Sequence, residues 1–143
     1  MYGNMASPFA SRAQRATMYS RVGLETDVNG ASPHRLVQLL FEGLFEAMNQ
    51  ALAGIRSKDV ALKNRALCRA VRIVDEGLKS ALNMEAGTLA NDLDALYAYV
   101  GIRLTQANAR SDEKAIEECQ SLMAPVREAW NKIGPTVDEQ RAA

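Results

Sequence analysis

Apolar residues recur along this chain at helical rather than strand spacing. Between Ser32 and Ile55 they are Leu36, Val37, Leu40, Phe41, Leu44, Phe45, Ala47, Met48, Ala51, Leu52 and Ile55. At ~100° per residue they fill an arc of about 180°, where a core-facing helix needs little more than ~100°. The excess lies on one flank, at Phe41, Phe45 and Leu52. That flank is either core beneath another part of the chain or a second apolar edge offered to a partner. Ser32 suits a helix N-cap, and Pro33 suits the first helical position, where a missing N–H costs nothing.

Three more helices follow by the same reasoning. Asp59 is the expected cap of a helix from Val60 to Ala86, with the seam Leu67, Val71, Val74, Leu78 and Ala81. Its steps of four and three are those of a bundle helix. Gly87 is the expected stop, and Thr88 the expected cap of the next helix, Leu89 to about Arg110. That helix carries two stripes. Its seam is Leu89, Leu93, Leu96, Val100, Leu104 and Ala107, with Tyr97 beside it; the opposite side holds Ala95, Ala98, Tyr99 and Ile102. An ordinary surface helix would be charged there. The last helix, Glu113 to Ile133, has the seam Ile116, Cys119, Met123, Val126, Trp130 and Ile133, with Pro125 inside it and Gly134-Pro135 as its expected stop. Breaks of two to four residues make sequential helices antiparallel neighbours. The predicted fold is all-α, an antiparallel up-down four-helix bundle with a short N-terminal cap segment.

The ends are patterned differently. Residues 1–31 read as a flexible arm, with a short helix or turn around Met18, Tyr19, Val22 and Leu24 and a turn at Asn29-Gly30. The bundle is expected over 32–134, and a disordered tail over 135–143.

Composition removes several functions. Seventeen basic residues balance seventeen acidic ones, which argues against nucleic-acid binding and against a polybasic membrane anchor. The stretch MYGNMASPFASR lacks the apolar core of a secretory signal. No apolar run reaches the ~18 residues of a membrane span. Cys68 and Cys119 both fall near helix seams and read as small buried thiols of a reduced, cytoplasmic protein.

Catalytic and metal chemistry is thinly represented. The single histidine, His34, has no Glu-x-x-His partner for a di-iron site, and two distant cysteines do not complete a zinc site. The expectation is no enzyme, no metal and no cofactor. Gly43, Gly54, Gly77 and Gly101 are isolated within helices and read as close-packing points rather than a phosphate cradle. His34, in the first turn after the Ser32 cap, reads as an exposed polar residue; the competing reading is the phosphoacceptor of a phosphotransfer bundle. Tyr99 and Ile102 are either scattered surface exposure or part of an apolar groove for an amphipathic partner helix. A self-associating helical module is the remaining alternative, its extra stripes closing on a second copy.

The run Ala31-Ser32-Pro33-His34-Arg35-Leu36, followed by Leu40-Phe41-Glu42-Gly43, resembles the signature of the flagellar export chaperones that bind flagellin, the FliS family. Further matches are Ile73-Val74-Asp75-Glu76-Gly77-Leu78, Asn91-Asp92-Leu93 with Leu96-Tyr97-Ala98-Tyr99, Ala107-Asn108 and Ala129-Trp130. Val100 and Gly101 depart from that pattern, which carries methionine and then a larger residue. The resemblance implies a cytoplasmic bundle that binds the disordered C-terminal segment of flagellin and prevents premature polymerisation. It also implies delivery to the type III export apparatus, the export gate meeting the loaded chaperone, as monomer or homodimer. On this reading Ala95, Ala98, Tyr99 and Ile102 contact the partner. Phe41, Phe45 and Leu52 contribute an edge, and Tyr19 and Val22 cap the groove.

Overall fold

The computed structural model describes residues 30–142. The expected cap at Tyr19 and Val22 lies outside them. The described residues form four helices and no strand: α1 (Pro33–Arg56), α2 (Val60–Arg72), α3 (Thr88–Arg110) and α4 (Glu113–Ala142). Each packs on its neighbours in sequence, and α1 also packs on α4, which closes the ring of a bundle.

Local chemistry starts the helices where the sequence places them. The Ser32 hydroxyl accepts from Arg35 N at 3.1 Å, the Asp59 carboxylate from Leu62 N at 3.0 Å, and the Asp112 carboxylate from Ala115 N at 3.2 Å. Each satisfies one of the four amides a helix start leaves free. Thr88 is not a cap. Gly87 holds that position at φ +100, a backbone region that favours glycine, and Thr88 is the first residue of α3.

The expected helix from Val60 to Ala86 is interrupted. Past Arg72 the chain widens into a π-helical segment, Ile73–Leu78, in which Lys79 N reaches back five residues to Val74 O at 2.9 Å. A short 3-10 turn, Met84–Ala86, then leads to Gly87. The wide turn carries Gly77, where an added Cβ would stand 2.8 Å from Leu40 Cδ2. Its missing side chain lets α1 approach the π segment.

The core joins all four helices. Leu40, Leu44, Met48, Ala70, Ile73, Val74, Val100, Leu104, Ile116, Cys119 and Met123 are each 0% exposed. The α3 seam differs from expectation at its start. Leu89 is 70% exposed, while Ala90 and Tyr97 are buried. Positions 90, 97 and 104 are seven apart, two turns of helix, so the inward line passes through Ala90 rather than its neighbour. Burial pushes the Tyr97 hydroxyl up to about 12. Cys68 also differs: it is exposed and free, whereas Cys119 is buried and free. Cys68 follows Leu67 by one residue, about 100° around the helix and off the inward face. Burial raises the Cys119 thiol to about 12, which leaves it protonated and unreactive at neutral pH.

The helix ends are tied together by side chains. Lys63 is buried, and its Nζ donates to Asn108 O and to Ser111 Oγ, both at 2.9 Å. An ammonium there meets the negative end of the α3 dipole and satisfies a last-turn carbonyl. Lys63→Met keeps the aliphatic stem and removes the donor. It is expected to cost about 1 kcal/mol, read as a lower urea midpoint in circular dichroism.

The expected stop at Gly134-Pro135 is absent, and α4 continues to Ala142. The glycine has a packing role instead: a Cβ there would fall 2.6 Å from Nε2 and 2.8 Å from Nδ1 of His34. A missing side chain at that point serves close approach of two elements rather than chain reversal.

Candidate partner-binding face

One side of α3 carries exposed apolar side chains beside a groove. Ile102 is 59% exposed and Tyr99 43% exposed, Ala95 is exposed and Ala98 half-buried. The four stand at steps of three, one and three, so they share one helical face. Beside them runs an open groove of about 410 Å³, lined by Ala98, Gly101, Ile102, Thr105 and Gln106 of α3 and by Asp75 and Lys79 across from it. Gly101 permits the groove's narrow waist. A Cβ on it would sit 3.0 Å from Asp75 Oδ1, so the carboxylate lies close over the α3 backbone. Lys79 reaches Asp94 Oδ1 at 3.7 Å, bridging the two walls at one end.

The other flank of the face is polar and ordered by α4. Tyr99 donates its hydroxyl to Glu118 Oε2 at 2.6 Å. Arg103 Nε donates to Glu118 Oε1 at 2.8 Å, and Arg103 Nη1 donates to Gln106 Oε1 at 2.8 Å. The Tyr99 hydrogen bond, then that of Arg103, holds the Glu118 carboxyl below the usual carboxylate range. The same hydrogen bond raises the Tyr99 hydroxyl above the ordinary tyrosine value. The carboxylate is therefore ionised at neutral pH.

The α1 flank is not a surface. Phe41 is 1% and Leu52 6% exposed, so both belong to the core. Phe45 is half-buried, with the Arg127 guanidinium carbon 3.9 Å over its ring centroid, a cation–π contact with α4. The physical reason is that α1 packs on both α2 and α4. Two neighbours bury a wider arc than one.

His34 is likewise not the exposed first-turn residue its position suggests. It is 6% exposed. Its ring stacks on Trp130, centroids 5.0 Å apart and planes 11° from parallel. His34 Nε2 donates to Trp130 O at 2.7 Å, and Trp130 Nε1 donates to His34 O at 3.1 Å. A phosphoacceptor needs an accessible ring nitrogen. This ring is buried in a two-way clasp between the start of α1 and α4, which removes the phosphotransfer reading. Among the described residues, no group of three or more His, Cys, Asp or Glu stands where it could hold a metal. Nor is any described helix long and apolar enough to cross a membrane.

Glu118, Asp75 and Lys79 belong to this face, and sequence reasoning assigns none of them to it. Glu118 is nineteen residues from Tyr99 and on another helix, so no linear spacing connects them. The Ile73 to Leu78 run held the signal for Asp75, but only the packing of the π segment on α3 places it over Gly101.

Comparison with known proteins identifies the family. The family described as Flagellar protein FliS matches residues 15–137. The chain is 41% identical over 125 residues to the flagellar secretion chaperone FliS of Salmonella typhimurium strain LT2, covering 87% of this chain and 93% of that one. It is 35% identical over 126 residues to the flagellar secretion chaperone FliSB of Pseudomonas aeruginosa, covering 87% and 98%. It is 34% identical over 125 residues to FliS of Escherichia coli K12, covering 87% and 90%. With the bundle, the Ser-Pro-His start of α1 and a match spanning most of the chain, the protein belongs to the FliS family of flagellar secretion chaperones.

Proposed function

We propose that this chain binds the disordered C-terminal segment of flagellin in the cytoplasm, keeps it from polymerising early and hands it to the flagellar type III export apparatus. It does so by binding alone, with no catalytic step and no cofactor. The observation that carries this reading is the exposed stripe of Ala95, Tyr99 and Ile102 beside an open groove, in a family of flagellar secretion chaperones. An amphipathic segment that is unfolded when free can lay its apolar side along such a groove and fold there. Ordering entropy limits the affinity, which suits a cargo that must later be released.

Ile102 is the sharpest probe of this face. Ile102→Glu places a charge where an apolar partner must dock. It is expected to weaken binding of a flagellin C-terminal peptide about tenfold or more, by isothermal titration calorimetry. Because Ile102 is exposed, folding stability should stay within about 0.5 kcal/mol of the parent. A folded variant that binds as tightly as the parent would remove Ile102 from the site. A parent chain that ignores the peptide and forms a stable homodimer in light scattering would favour self-association instead.

A further inference from the structure

Tyr99 is 43% exposed, yet it is not a free surface side chain. Its hydroxyl is held 2.6 Å from Glu118 Oε2, and the second oxygen of that carboxylate takes Arg103 Nε at 2.8 Å. Arg103 passes the constraint on to Gln106, which also lines the groove. Tyr99, Arg103 and Gln106 stand at i, i+4 and i+7, one row of α3 immediately beside Ile102. A single carboxylate from α4 therefore orders a row of side chains along the edge of the apolar stripe. Exposed pairs of this kind contribute little to folding. What they can do is fix rotamers before a partner arrives, so that binding does not bear that ordering cost.

We propose that Glu118 is a positioning residue for partner binding: it holds Tyr99 in the orientation that receives the partner and sets Arg103 and Gln106 as the polar rim. This rests on the reading that the α3 face binds the flagellin C-terminal segment. Because Glu118 acts on Tyr99 through the Tyr99 hydroxyl, Tyr99→Phe should reproduce the part of the loss that passes through that hydrogen bond, and Glu118→Ala, which also releases Arg103, should lose at least as much. Glu118→Gln keeps an acceptor of the same length and should retain much of the effect.

The test is a double-mutant cycle in the full-length chain, titrated with a flagellin C-terminal peptide. Glu118→Ala and Tyr99→Phe are each expected to weaken binding about 3- to 10-fold. The double variant should be no weaker than the worse single, and Glu118→Gln should fall between Glu118→Ala and the parent. A merely structural cross-link would lower the melting temperature of Glu118→Ala and leave binding well below that temperature unchanged. Unchanged binding in folded Glu118→Ala overturns the proposal, and so do losses that multiply in the double variant. If the parent binds and Ile102→Glu does not, those results count against Glu118 alone. If the folded parent fails to bind the peptide, the flagellin reading falls and this proposal with it.

Discussion

Truncating Phe41 to alanine is expected to cost about 3–5 kcal/mol of folding stability, the largest effect of any substitution considered. Phe41 is 1% exposed, among Leu40 and Leu44 at 0%, and belongs to the continuous core that joins all four helices. Removing its ring forfeits the transfer free energy of the lost atoms and leaves a cavity that a close-packed interior fills only in part. Native stability is only about 5–15 kcal/mol, so the variant should approach the edge of folding at 37 °C. Urea denaturation followed by circular dichroism reads the loss directly. On the proposed function, flagellin binding should fall only as far as the unfolded fraction requires, and saturating peptide should raise the melting temperature. That separates Phe41 from Ile102, where binding is expected to fall with folding intact. A Phe41→Ala variant as stable as the parent but unable to bind would return Phe41 to the surface.

The same residue shows where periodicity is informative and where it stops. The pattern of apolar positions located four helices because a 3.6-residue period is local. The caps Ser32 and Asp59 were legible because capping is a contact across three residues. The width of the apolar arc on α1 carries a different kind of information. It reports how many neighbours the helix has, and α1 packs on two helices and on the π segment. Phe41 and Leu52 were therefore ambiguous between core and edge until the packing was known. Leu89 failed for a related reason: seven-residue periodicity fits two adjacent lines on α3, and only contact with α2 and α4 selects the one through Ala90.

The candidate site divides in the same way. Ala95, Ala98, Tyr99 and Ile102 stood out because they contradict what a surface face should be, and the structure leaves Ala95, Tyr99 and Ile102 exposed. Glu118 and Asp75 contradict nothing locally, since carboxylates on helices are ordinary. Their significance comes from the partners that other elements bring to them. Gly101 combines the two cases. A lone glycine inside a helix is a legible anomaly, but that it makes room for Asp75 is a tertiary fact.

Gly134→Ala offers the second large effect, and here the sign decides. In an open helix this substitution stabilises by about 0.5–1 kcal/mol, because alanine loses less backbone entropy on folding. In this chain it is expected to destabilise by about 2 kcal/mol. The new Cβ would stand 2.6 Å from His34 Nε2 and nearer still to Cε1. The ring has little room to yield: it is stacked on Trp130 and hydrogen-bonded to Trp130 O at 2.7 Å. Relief requires breaking that clasp or moving α4 off the start of α1. Either change alters the surroundings of the one tryptophan in the chain, so fluorescence should shift together with the urea midpoint. A stabilised Gly134→Ala with an unchanged spectrum would show that the ring moves aside freely. The clash also predicts its own remedy. In a His34→Ala background the added methyl meets no ring, so the double variant should lose less than the sum of the two singles. His34 and Gly134 are thus read as a matched pair, with histidine filling the space that glycine leaves.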